Sequence, residues 1–203
     1  MKSTLLLVGS LLAAPAFAAD ALPEIQSAWA QCQYQSPEKQ KESCLEQLSQ
    51  RADAASAKEA FRTDLLIWSA IVKSTWAGAK GGLGALSLVK DAKRRLEIAI
   101  EQDPKALDGS AYTSLGSLYY QVPGWPVGFG DDDKAEALLK QALAINPTGI
   151  DPNYFYADFL LDQGHKAEAK RYFEKALAAP PRPGRELADQ GRHGEIKAKL
   201  AAL

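Results

Sequence analysis

The sequence predicts an all-α fold of about nine helices with no sheet, and three observations carry that expectation. Three alanine-rich segments can be laid under one another: DAKRRLEIAIEQDP (Asp91 to Pro104), KAEALLKQALAINP (Lys134 to Pro147) and KAEAKRYFEKALAAPP (Lys166 to Pro181). Each reads as a helix that proline closes, because proline cannot continue the backbone ladder. Their markers also recur together. Ala142 to Ala176 and Pro147 to Pro181 are both 34 residues, and Ala99 to Ala142 and Pro104 to Pro147 are both 43. Upstream, Phe61, Leu65, Trp68, Ile71 and Val72 fall on one broad side at helical spacing within Lys58 to Trp76.

Taken in order, the chain begins with MKSTLLLVGSLLAAPAFA, an early lysine, a short apolar run and a small-x-small ending at Ala16-Phe17-Ala18. This reads as a secretory signal peptide cleaved after Ala18, which places the protein in the periplasm. The apolar run is too short to span a bilayer and Pro15 ends it, so the expected product is not integral to a membrane. Residues 19–203 are then expected to form a single helical repeat domain. Its divergent N-terminal hairpins occupy 19–88, the regular repeats 89–181, and a C-terminal capping helix 182–203.

A helix from about Leu22 to Tyr34 and another from Pro37 to about Ala55 would make a front hairpin. Cys32 and Cys44 are the two cysteines of the chain, twelve residues apart. In an exported chain an even pair at this spacing reads as a disulfide across that hairpin. A metal site would want nearby histidines, and a redox pair would more often be C-x-x-C. The glycine-rich AGAKGGLG (Ala77 to Gly84) lacks the order of residues and the preceding strand that a phosphate-cradling loop needs. A last helix near Arg185 to Leu203 would cover the open end of the stack.

The 34-residue helix-turn-helix period resembles that of the tetratricopeptide repeat. In the last copy the residues that carry the likeness are Tyr156, Leu160, Gly164, Ala169, Phe173, Ala176 and Pro181. In the copy before it they are Tyr112, Leu115-Gly116, Tyr119, Ala135, Leu139, Ala142 and Pro147. The resemblance implies helical hairpins stacked into a right-handed superhelix. Small Gly116 and Ala135 would let two helices approach, while Tyr119, Leu139 and Phe173 fill the space between hairpins.

Between its helices the second copy carries seven extra residues within QVPGWPVGFG (Gln121 to Gly130). Pro123 and Pro126 rule out a continued helix, so the loop is shaped. Trp125 and Phe129 either fold back over the groove between hairpins or gate a concave pocket walled by Tyr112, Tyr119, Tyr154 and Tyr156. Asp131, Asp132 and Asp133 follow directly; one of them is expected to cap the next helix, and calcium would need alternate spacing of oxygens. No metal or other cofactor is expected.

Lys and Arg number 24 against 25 Asp and Glu, and no basic tract stands out. A nucleic-acid partner is therefore not expected. Neither His165 nor His193 sits in a recognisable nucleophilic motif, so no catalytic residue is assigned and the chain is read as a non-enzyme. Two functions stay open: an exported scaffold that binds a protein or peptide along its inner face, and a carrier of a small apolar ligand under the Trp125/Phe129 loop. The stretch LGSLYYQVPGWPVGFGDDDKAEALLKQALAINP with GIDPNYFYADFLLDQG also resembles the periplasmic T-component proteins of TRAP transporters. That likeness implies association with the substrate-binding component of a tripartite uptake system.

Overall fold

The computed structural model describes residues 20–203; the expected signal peptide lies outside the described residues. Those residues form nine α-helices and one short 3-10 turn, with no strand among them. The helices are α1 (Ala21–Tyr34), α2 (Glu38–Lys58), α3 (Thr63–Lys80), α4 (Gly82–Gln102), α5 (Ser110–Gln121), α6 (Asp132–Ile145), α7 (Ile150–Asp162), α8 (Lys166–Leu177) and α9 (Glu186–Ala201), with the turn at Ala106–Gly109.

Each odd-numbered helix up to α7 packs on the even one that follows, giving four hairpins. The three aligned segments carry the period into the core. Ala92, Leu96 and Ala99 on α4, Ala135, Leu139 and Ala142 on α6, and Ala169, Phe173 and Ala176 on α8 are all 0% exposed. One register is thus buried three times, at i, i+4 and i+7 of successive helices. The small positions set the spacing: a Cβ built on Gly116 would stand 2.8 Å from the Leu139 side chain, so α5 and α6 are as close as glycine permits.

Odd helices also meet one another, α1 with α3, α3 with α5, α5 with α7 and α7 with α9, so they form the inner wall. The stack then closes on itself, because α9 packs against both α8 and α1. Ala188 of α9 joins the core of α1, α2 and α3, while Ile196 of the same helix joins the core of the later helices. The approach is tight: a Cβ on Gly191 would fall 2.5 Å from the Tyr34 ring.

A disulfide joins Cys32 to Cys44 and so ties α1 to α2, as the cysteine spacing predicts. Closing a loop of this size is worth about 3 kcal/mol through the unfolded chain. The helix breaks differ in detail from the sequence reading. α3 runs on through Ala77-Gly78-Ala79-Lys80, and the chain turns only at Gly81 and Gly82, whose φ angles are 66° and 60°. Phe61 does not join the apolar side of α3 but is 82% exposed in the turn before it. Arg62 holds that turn by pairing with Asp20, Glu59 and Asp64, which starts α3 after Phe61.

If Gly191 is what lets α9 reach α1, Gly191→Ala must push the two helices apart. Overpacking of this kind costs about 1–3 kcal/mol. The variant should lower the melting temperature and raise the radius of gyration seen by small-angle scattering; an unchanged radius would mean that α9 tolerates the shift without opening.

Candidate functional site

Closure by α9 turns the inner wall into a cleft of about 960 Å³. One end is aromatic. Trp29 and Trp68 line it edge to face with centroids 5.8 Å apart, and the Trp29 indole N–H donates to Thr75 Oγ1 at 2.9 Å. The middle is lined by one stripe of α5, namely Ser110, Thr113, Ser114, Ser117, Leu118 and Gln121. That is a single helical face, mostly small and hydroxylic. Ile71, Leu86, Val89 and Ile150 supply aliphatic surface.

The stripe owes its aim to an unusual turn. Leu107 and Asp108 both have positive φ, 49° and 54°, followed by Gly109 at 77°. Two consecutive non-glycine residues in the left-handed region are strained by about 1–2 kcal/mol each. The Leu107 side chain packs against both core clusters, and Ser110 Oγ donates to the Leu107 carbonyl at 2.6 Å.

Charge gathers where α7 faces α9. Asp151 accepts from Arg192 Nε at 3.0 Å and from Arg182 Nη1 at 2.5 Å. Arg182 also pairs with Asp189, and Arg192 with Glu195. The Arg192 guanidinium lies 4.1 Å from the Tyr154 ring centre and 4.9 Å from that of Phe155. Burial alone would raise the Asp151 pKa, but the two arginines outweigh it and hold the carboxyl down at about 2. Arg185 is the third arginine of the cleft; its guanidinium carbon lies 4.8 Å from the Trp68 ring centre, and it has no ion pair among the described residues.

None of the six aromatic residues singled out from sequence lines this cleft. Tyr119 is buried against Phe129, edge to face at 5.5 Å, and Lys93 and Lys134 stand over its ring. Tyr112 shares that face of α5 by its register and is half-buried. Tyr154 packs on Phe155 and Phe173, and Tyr156 on Tyr172. Trp125 is 91% exposed.

The loop that carries Trp125 is closed by backbone hydrogen bonds from Gly128 to Gly124, Gly130 to Pro123 and Asp131 to Tyr119. A Cβ on Gly130 would fall 2.0 Å from the Val122 carbonyl oxygen, so the two arms meet too closely for any side chain there. It reaches the cleft through Val122, Pro123 and Val127. Asp131 then caps α6, accepting from the Lys134 amide at 3.0 Å. Among the described residues no group of three or more His, Cys, Asp and Glu is placed to hold a metal ion, and neither histidine lines the cleft.

The α7/α8 hairpin, with α6 before it, repeats the buried register of α6 in α8. Residues 128–200 match the tetratricopeptide repeat family. The match takes in α6 to α9 and supports reading the protein as a tetratricopeptide-repeat protein. Comparison with curated proteins gives no match. Repeats of this kind suggest protein partners, and among the described residues no helix is long and apolar enough to cross a membrane.

Two outcomes follow from this geometry. Because the Asp151 pKa is depressed in the folded state, its contribution is fully present above about pH 4 and is lost as pH falls through about 2. Asp151→Asn should therefore cost about 3 kcal/mol near neutrality. In chemical denaturation across acid pH the gap from wild type should narrow toward pH 2; a constant gap would mean the carboxylate is not ionised in the fold. Separately, Trp125→Ala should change stability by less than about 0.5 kcal/mol and Phe129→Ala by about 1–2 kcal/mol. Equal losses would mean that Trp125 packs as Phe129 does.

Proposed function

We propose that the protein is a non-catalytic, exported interaction scaffold of the periplasm, accessory to a TRAP-type uptake system, whose working surface is the cleft walled by the odd helices. What supports the scaffold is the repeat architecture. The cleft supports the choice of surface, since a concavity of about 960 Å³ there combines apolar walls with a few polar groups. The TRAP-type role leans on the likeness of Leu115 to Gly164 to T-component proteins, and its partner would be the substrate-binding component. Trp125, exposed at the tip of a rigid loop, is a fitting anchor for that partner, because tryptophan carries binding energy out of proportion to its number.

A second reading, carriage of a small apolar ligand, is favoured by one specific observation. The inner face is closed by the docking of α9 on α1, and its volume lies within the range of about 300–1,000 Å³ that small-molecule sites occupy. In this form the ligand lies beside Pro123 and Val127 rather than beneath Trp125 and Phe129.

The test is native mass spectrometry of protein purified from its own periplasm, with the substrate-binding component of the same cell added. The wild type should form the complex, Trp125→Ala should weaken it at least tenfold, and a retained small molecule should disappear in Ser114→Trp, which fills the middle of the cleft. No complex with the wild type would remove the TRAP-type role. A small molecule retained by Ser114→Trp would remove the cleft as its site.

A further inference from the structure

The charges that line the cleft are Asp108, Asp151, Arg182, Arg185 and Arg192. Arg182 pairs directly with Asp151 and Asp189, and Arg192 with Asp151 and Glu195. Asp108 is exposed on its strained turn and makes no ion pair among the described residues. Arg185 is left over. Its Nε is buried with no acceptor, and its guanidinium carbon lies over the Trp68 ring, 4.8 Å from the centre.

A buried donor without a partner is costly, and more so when it carries charge. Burial, and after it the neighbouring Arg182, lowers the pKa of Arg185, and Asp151 and Asp189 offset only part of this. The Trp68 ring holds the guanidinium in place, and its rigid fork of donors favours a planar, two-oxygen acceptor. Beyond it, Ile71, Leu86, Val89 and Leu118 offer aliphatic surface.

We propose that the cleft binds a small amphipathic carboxylate, its head paired with Arg185 over Trp68 and its apolar tail laid along Ile71, Leu86, Val89 and Leu118. This rests on the second reading, that the cleft holds a small ligand, and it names the chemistry of that ligand. A single carboxylate gives the one guanidinium that makes no direct ion pair its acceptor. A dianion would bring one charge with no partner into a low-dielectric cleft, and a neutral lipid would leave Arg185 as it stands. A peptide is disfavoured because its amides would face aliphatic walls.

Isothermal titration of the purified, delipidated protein with decanoate and with decan-1-ol tests the head group directly, since the two share the tail. The wild type should bind decanoate at least about tenfold more tightly than the alcohol, the worth of one hydrogen-bonded charge pair. Arg185→Gln should weaken decanoate about 30-fold and leave the alcohol unchanged, with Arg185→Lys in between. Ser114→Trp should abolish both. Should Arg185→Gln fail to fold, the acid-to-alcohol ratio of the wild type decides alone. Equal binding of the two by the wild type, or decanoate binding unaltered in folded Arg185→Gln, overturns the carboxylate assignment while the small-ligand cleft stands. Binding of neither probe, or of both by Ser114→Trp, overturns the cleft reading and the assignment with it.

Discussion

The structure depends on one half-buried carboxylate, that of Asp151. A stack of four hairpins leaves an apolar face bare at each end, and here a single extra helix covers both, joining the first core through Ala188 and the last through Ile196. A helix lodged between two cores needs its position fixed along its axis, which apolar packing alone does poorly. Asp151 supplies that register. It accepts from Arg182 before α9 and from Arg192 within it, so the approach to the helix and its middle are both tied to one carboxylate of α7. Lys199 adds a third by pairing with Asp158 of α7. Without those pairs the cleft would lack its fourth wall.

The cleft has an energetic cost that the fold carries in its backbone. Leu107 and Asp108 sit where L-residues resist, and the strain persists because the neighbouring contacts over-determine the turn. Leu107 fills a gap between the two cores, and the turn touches α3, α5 and α6. Its effect is to begin α5 at a rotation that turns Ser110, Ser114 and Ser117 inward. A relaxed turn at this place would present another face of α5 to the cleft. Strain and wall composition are therefore one feature, and neither can change alone.

The stack itself was legible because its rule is local. Alanine and proline recur at fixed intervals, and the recurring alanine, Ala99, Ala142 and Ala176, has no exposed surface in any of the three aligned helices. The disulfide was legible for the same reason, as two cysteines on adjacent helices. The cleft was not, because Asp151 lies 31 and 41 residues from the arginines it pairs with, and no periodicity links them. The aromatic residues drew attention for a reason that misleads in a repeat. Tyr119 and Tyr156 match the repeat pattern because the pattern records what packs helix on helix, and with Tyr154 they face neighbours and not the inner wall. Phe155, adjacent to two of them, is the one that reaches the cleft. One signal was present: Ser110, Thr113, Ser114, Ser117 and Gln121 fall at helical spacing on the face opposite the tyrosines.

That opposition has a general consequence for how this fold can acquire a site. In each hairpin the outward positions are solvated and the intermediate ones are consumed by packing, which leaves only the inner stripe of each odd helix free to vary. Small hydroxyl residues there keep α5 helical while adding little bulk, so the cleft's volume is set by α5 and its character by α3, α7 and α9. Rigid walls matter because a preformed concavity spares a ligand the cost of ordering side chains on arrival. The disulfide in the first hairpin and the ion pairs of the last helix brace the two elements that meet at the closure. Stability and recognition thus draw on the same contacts, and what weakens the seam between α1 and α9 must also blur the cleft.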